Sequence, residues 1–144
     1  MPTTGDPVIS FPGWELQQDE YSILSADSTL SSAGWSVYDW PPQTTSTPYI
    51  VIGEDTDVPV YHKSGAYHEI TTTLHLYSSY KGKKQIKQAV EAIVAALTGG
   101  SFSLSGFKVL QVSLDSTPPI IREGDGDPVL HHGIPRFRYL IQET

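Results

Sequence analysis

The side chains best suited to acid–base or metal chemistry in this sequence are five histidines and sixteen carboxylates. There is no cysteine, which removes disulfides and thiolate metal sites from consideration. His68 and His75 fall in a Thr-rich stretch with strand character, where surface or interface packing is expected rather than ligation. His131 and His132 are adjacent, so on a strand they point to opposite faces and cannot share one metal ion. Glu123, Asp125 and Asp127 offer oxygens to a hard cation, but the rest of the twelve-residue calcium pattern is missing and the segment reads as an acidic glycine turn. Asp55 and Asp57 have the look of a carboxylate pair, yet no base accompanies them, and a solvated loop is expected. No phosphate-cradling glycine loop and no nucleophile elbow is present. The sequence therefore predicts no catalytic, cofactor-binding or metal-binding residues, and no enzyme.

One cluster departs from this blandness. Lys81, Lys83, Lys84 and Lys87 crowd the start of a helical pattern. Cations there oppose the helix dipole, and Lys83 with Lys87 is a like-charge i, i+4 pair. Such a patch can meet an acidic one on another subunit, and the stretch Glu54–Asp57 is a natural counterpart.

The elements that position these residues centre on 66–99. Residues 66–79 are rich in Thr, Tyr, Ile and Leu with no internal Gly or Pro, as a pleated strand requires. Ile70, Leu74 and Leu76 share the core parity. The period then changes from two to about 3.6. Ile86, Ala89, Val90, Ile93, Val94 and Leu97 form one apolar helical stripe, which Gly99-Gly100 is expected to end in a left-handed conformation. Upstream, residues 1–13 read as a flexible Pro/Gly-rich arm and 14–144 as a single domain. Residues 14–24 are weakly helical, and Asp27 caps a short turn. Residues 35–38 form a short strand. Tyr49–Ile52 reads as a strand buried on both faces and ended by Gly53. A long loop, 54–65, follows, or a two-stranded excursion through Val58, Val60 and Tyr61. Downstream come a small edge strand or turn at 101–104 and a strand from Phe107 to Asp115 with Leu110, Val112 and Leu114 on one face. An acidic turn leads to a last strand, 132–142, which starts at an edge because of Pro135. The expected class is α+β: an antiparallel or mixed β-sheet with a long amphipathic helix and a shorter N-terminal helix packed on one face.

Composition sets further bounds. A chain of 144 residues is about one domain and large enough for its own core. No run approaches a membrane span, and the start of the chain lacks the basic and apolar segments of a signal peptide. A soluble protein, assembled in the cytoplasm, is expected. The formal charge of −7 argues against general nucleic-acid binding. It is unevenly spread, −9 over residues 1–72 and +2 over 73–144, which suits self-association through unlike faces.

The ordered set Leu24-Ser-Ala-Asp27 with Leu30, Val37-Tyr38-Asp39 with Pro42-Gln43, and Pro48-Tyr-Ile-Val-Ile-Gly-Glu54 is followed by Leu76-Tyr77-Ser78 and Gly82. Ala95-Ala96-Leu97 and Gly133 with Arg136-Phe137-Arg138 complete it. This order resembles the tail-completion family of tailed bacteriophages, the tail terminators and tail-to-head joining proteins, over roughly residues 15–142. The resemblance implies a structural virion protein without enzymatic activity or cofactor. It implies a homohexameric ring that caps the tail tube, with the tube protein and the head-completion or connector protein as partners. No membrane and no sequence-specific nucleic acid is implied, though DNA passes through such a ring. Within that frame the 54–65 loop, with Glu54, Asp55, Asp57, Tyr61 and His62, is a candidate tube or lumen contact. Lys83, Lys84 and Lys87 are candidate subunit contacts, and Arg136 and Arg138 on the last strand a candidate subunit edge. The alternatives are another neck protein such as a head stopper, or an α+β domain that binds a small molecule.

Overall fold

The computed structural model describes residues 11–63, 65–124, 126 and 129–144. Most of the 1–13 arm, as well as Asp125 and Asp127, lie outside the described residues. The fold is α+β, with three helices and a mixed seven-stranded sheet. In chain order the elements are α1 (Gly13–Ala26), α2 (Ser28–Ser32), β1 (Ser36–Tyr38), β2 (Tyr49–His62) and β3 (Gly65–Ser78). They continue with α3 (Lys84–Thr98), β4 (Phe107–Ser116), β5 (Ile121–Glu123), β6 (Leu130–Gly133) and β7 (Arg136–Glu143).

β3 is the sheet's spine. One of its edges pairs antiparallel with β2. The other pairs with β7 over Tyr67–Thr73 and with β6 over Leu76–Ser78. β1 joins β2 in parallel, β4 joins β7, and β5 joins β6. Ile70, Leu74 and Leu76 face the helices, together with Ile50 and Ile52 of β2 and Phe137, Tyr139 and Ile141 of β7. Above them lie Ile86, Ala89, Ile93 and Leu97 of α3, with Leu16 and Leu24 of α1. Each large side chain so covered contributes about 2 kcal/mol of apolar burial. Asp27 caps α2 as expected, accepting from the Leu30 N–H at 3.0 Å.

Several sequence expectations are revised. β2 does not end at Gly53 but bulges between Ile52 and Asp55 and runs on to His62, so of the two readings of this stretch the two-stranded excursion through Val58, Val60 and Tyr61 holds and the loop does not. Among the described residues only one sheet face carries helices, so Tyr49 and Val51 stay half-exposed instead of being buried with Ile50 and Ile52. A bulge between Val109 and Gln111 puts Val109, not Leu110, on the core side of β4, and Leu110 and Leu114 remain exposed. Residues 101–104 form no strand, although Leu104 is buried. The last strand is two strands, broken at Ile134–Pro135. Pro135 is not at an edge: its carbonyl accepts from the Leu74 N–H at 3.0 Å, and β7 has a partner on each side. Gly99 ends α3 with φ −96°, outside the left-handed region. At Gly133 the need for glycine is steric, because a Cβ there would come within 2.6 Å of Ile86 Cγ2.

One core position is polar. Leu16, Glu20 and Leu24 share one stripe of α1, and Glu20 is as buried as its neighbours. Its Oε2 accepts from Thr72 Oγ1 at 2.8 Å and from the Tyr139 hydroxyl at 2.7 Å, while Oε1 has no partner among the described residues. Loss of hydration outweighs these two bonds and raises the Glu20 carboxyl to about 7. Folded Glu20 thus keeps its proton over a pH range where the unfolded chain has lost it. Stability is then fully retained below the unfolded carboxyl value and falls as pH rises toward 7, by roughly 3 kcal/mol in all. Glu20→Gln should flatten that slope and raise stability at alkaline pH, as read by urea denaturation at acid and alkaline pH.

Candidate functional site

The groups singled out by sequence fall on two separate surfaces. The first is the β2–β3 hairpin. Its outer strand has no described partner beyond Val51, where β1 stops covering it. Pro59 and the bulge at Ile52–Asp55 interrupt this edge, features that discourage indefinite strand addition. Val58, Val60 and Tyr61 are exposed near the tip, and the His62 ring meets Tyr67 edge-on at 5.5 Å.

The hairpin acids are largely engaged within the chain. Glu54, well exposed, contacts His75 Nε2 at 3.1 Å. A bond from its own backbone N–H, followed by the His75 contact, holds its carboxyl below the usual range. Asp55 is pushed up, chiefly by partial burial and also by the charge of Asp57. Asp57 meets His68 Nδ1 at 3.0 Å, while His68 Nε2 meets Glu143 at 3.2 Å. His68 is 1% exposed. The expectation of a surface histidine therefore fails, because this residue shares the core parity of Ile70 and closes the lower end of the core. Both contacts are satisfied only when each ring nitrogen donates.

The second surface lies at the start of α3. Lys83 and Lys87, with Ile86 and Val90, form one wall of a cleft of about 390 Å³. Thr117–Ile120 and Gly133–Pro135 form the other wall. Lys83 is the N-cap residue without a capping side chain, and Lys84 opens the helix. No ion pair among the described residues involves these lysines. The cleft shares no lining residue with the hairpin pocket formed by Val60, His62, Tyr67, Glu69 and Leu140. Arg136 and Arg138 lie on the sheet face away from the helices. Arg138 bridges Glu69 at 3.1 Å and Asp115 at 3.2 Å. Since β7 is interior, these arginines offer side chains, not a free strand edge.

Among the described residues, no three His, Asp or Glu side chains converge as metal ligands, and no helix is long and apolar enough to cross a membrane. Two polar constellations escaped the sequence reading. Glu20 was detectable as a carboxylate on the Leu16–Leu24 stripe. The other is a line of four side chains, Glu54, His75, His132 and Glu123, from four strands. Only the pairing of β5 with β6 and of β6 with β3 aligns it, and no local pattern announces that register.

The profile of the tail completion protein gp17 family matches residues 21–142. The chain belongs to this family. Among solved structures, this tail-completion chain is similar to a chain of the virion of a native gene transfer agent particle. That match has 22% identity and a TM-score of 0.80, covering 91% of this chain and 97% of that one. It is also similar to the gp17 protein of bacteriophage SPP1, again at 22% identity, with a TM-score of 0.60 and coverage of 91% and 95%. A comparison with curated proteins finds no match. The hairpin, the lysine cleft and the arginine face all lie within the span that the family profile matches. Family membership gives this tail-completion chain a structural role in the tail or neck of a virion.

The His68 contact makes its own prediction. His68→Leu keeps the volume but leaves Asp57 and Glu143 without their donor. Stability in urea at neutral pH should fall by about 2 kcal/mol, whereas a surface histidine would give a change near zero.

Proposed function

We propose that this protein forms a ring of six copies that caps the tail tube, ends tube polymerisation and joins the tail to the head connector. The observation that carries the reading is the family match across residues 21–142. The match accompanies a molecule whose exposed chemistry is suited to contacts rather than turnover. A closed ring needs a heterologous interface, in which two different patches of one surface meet. The cleft at Lys83 and Lys87 and the exposed Val58–Tyr61 tip are such a pair. One is a basic-rimmed hollow with apolar walls, the other an exposed apolar knob at the hairpin tip. The blunted β2 edge favours side-chain docking over strand addition.

In this reading Glu54, Asp55, Tyr61 and His62 bring one side of the interface and Lys83, Lys84 and Lys87 the other, while Asp57 stays engaged with His68. Arg136 and Arg138, on the open sheet face, are left for the tube or the connector. The ring carries no enzymatic activity and is assembled in the host cytoplasm.

Two measurements test this. Electron microscopy of particles assembled without the protein should show overlong tubes, or normal tails detached from full heads. Joined virions of normal tail length would overturn the reading. In the second, Lys83→Glu with Lys87→Glu should weaken assembly onto tubes, and the defect should change with salt. Acids at a helix start favour the dipole, so thermal stability should hold, and unchanged assembly would remove these lysines from the interface.

A further inference from the structure

On the sheet face away from the helices, four side chains from four strands form one line of hydrogen bonds. Glu54 of β2 meets His75 Nε2 of β3 at 3.1 Å. His75 Nδ1 meets His132 Nε2 of β6 at 2.7 Å. His132 Nδ1 meets Glu123 of β5 at 2.6 Å. The line is packed in place. Tyr77 stacks on the His132 ring at 4.4 Å, and Tyr49 on Tyr77 at 4.9 Å. Gly53 lies flat against His75, where a Cβ would come within 2.5 Å of the ring.

Proton counting fixes its chemistry. An ionised carboxylate only accepts, so the outer nitrogen of each ring must carry a hydrogen. The inner nitrogens share one bond, which needs one hydrogen between them. The line is complete with three protons on four ring nitrogens, a single positive charge held by the pair. With two protons, one of the three bonds is lost. With four, two N–H groups oppose each other at the centre and the middle bond breaks.

We infer that the His75–His132 pair is a one-proton clamp that locks the β5–β6 excursion onto the β2–β3 hairpin and releases it when a proton is either added or removed. The excursion needs such a clamp. Among the described residues β6 is register-paired with β3 only at Leu76–Gly133, Tyr77–His132 and Ser78–His131, and Gly133 at its end, with Ile134 and Pro135, lines the lysine cleft. The charged and titratable groups facing the pair are Glu54 on β2, Glu123 on β5 and the phenols of Tyr49 and Tyr77. Arg136 on β7 acts on Glu54 by its charge. Arg122 and His131 alternate to the opposite face of their strands. The clamp is a property of the single chain and holds whether or not the chain forms a ring.

The test uses the full chain. Nitrogen-15 NMR of the imidazoles should show coupling across the His75 Nδ1–His132 Nε2 bond in an intermediate pH range and its loss on both sides, over a titration from about pH 5 to about pH 9. Amide exchange of Leu130–Gly133, taken relative to amides of β4 so that the Glu20 dependence cancels, should be slowest in the same range. It should quicken about tenfold on either side as a bond is lost. His75→Gln should make that ratio flat with pH. If the variant fails to fold, the coupling in the native chain decides alone. Two rings that titrate independently without cross-ring coupling, or a ratio already flat in the native chain, would overturn the inference.

Discussion

The fold depends on β3 being paired along both edges while one of its faces is fully dry. Backbone N–H and C=O groups in a buried strand must find partners, and β2 on one side with β7 and β6 on the other supply them. Ile70, Leu74 and Leu76 then form a floor on which α3 and α1 set their apolar stripes. Among the described residues the other face has no layer over it. It becomes a working surface of histidines, tyrosines, arginines and acids. The molecule is asymmetric by construction, with packing on one face and polar contacts on the other.

The polar groups beneath the sheet complicate a simple core. Glu20 is held in the dry layer by Thr72 and Tyr139, and the Tyr139 hydroxyl is in turn raised well above its ordinary value by burial and by Glu20. His68 is held between two carboxylates at the core's lower end. Replacing such groups with apolar ones of equal shape is often neutral or stabilising, while removing one partner alone is costly. Their presence fixes how α1 and β7 sit on β3, since each bond is met in one register only. The same logic, moved to the open face, gives the Glu54–His75–His132–Glu123 line, which fixes β5 and β6.

What was legible in the sequence followed period and local chemistry. α3 announced itself by spacing, β3 by alternation without breakers, and α2 by the Asp27 cap. The errors have physical causes. Gly53 predicts a strand end, but glycine inside a strand also marks a bulge or a close approach, and here His75 lies against it. Pro135 predicts an edge, yet it sits at a break between two strands and still accepts a bond through its carbonyl. Simple alternation puts Leu110 on the face of Val112 and Leu114, and the Val109–Gln111 bulge breaks that alternation, leaving Val109 packed on the core and Leu110 exposed. The polar constellations were invisible because their bonds span 52 residues for Thr72–Glu20, 119 for Tyr139–Glu20 and 57 for His75–His132. Lys83, Lys84, Lys87, Tyr61 and His62 are exposed, whereas Asp57 is partnered within the chain by His68.

A capping ring requires this molecule to meet copies of itself through unlike patches at the end of a tube. The most direct measurement is a cryo-electron microscopy reconstruction of the tail–head junction in the particle that contains it. The account predicts one ring of the chain at a single level between tube and connector, with the Val58–Tyr61 tip of each copy against the Lys83–Lys87 cleft of the next. Copies distributed along the tube, or a junction lacking this chain, would contradict it.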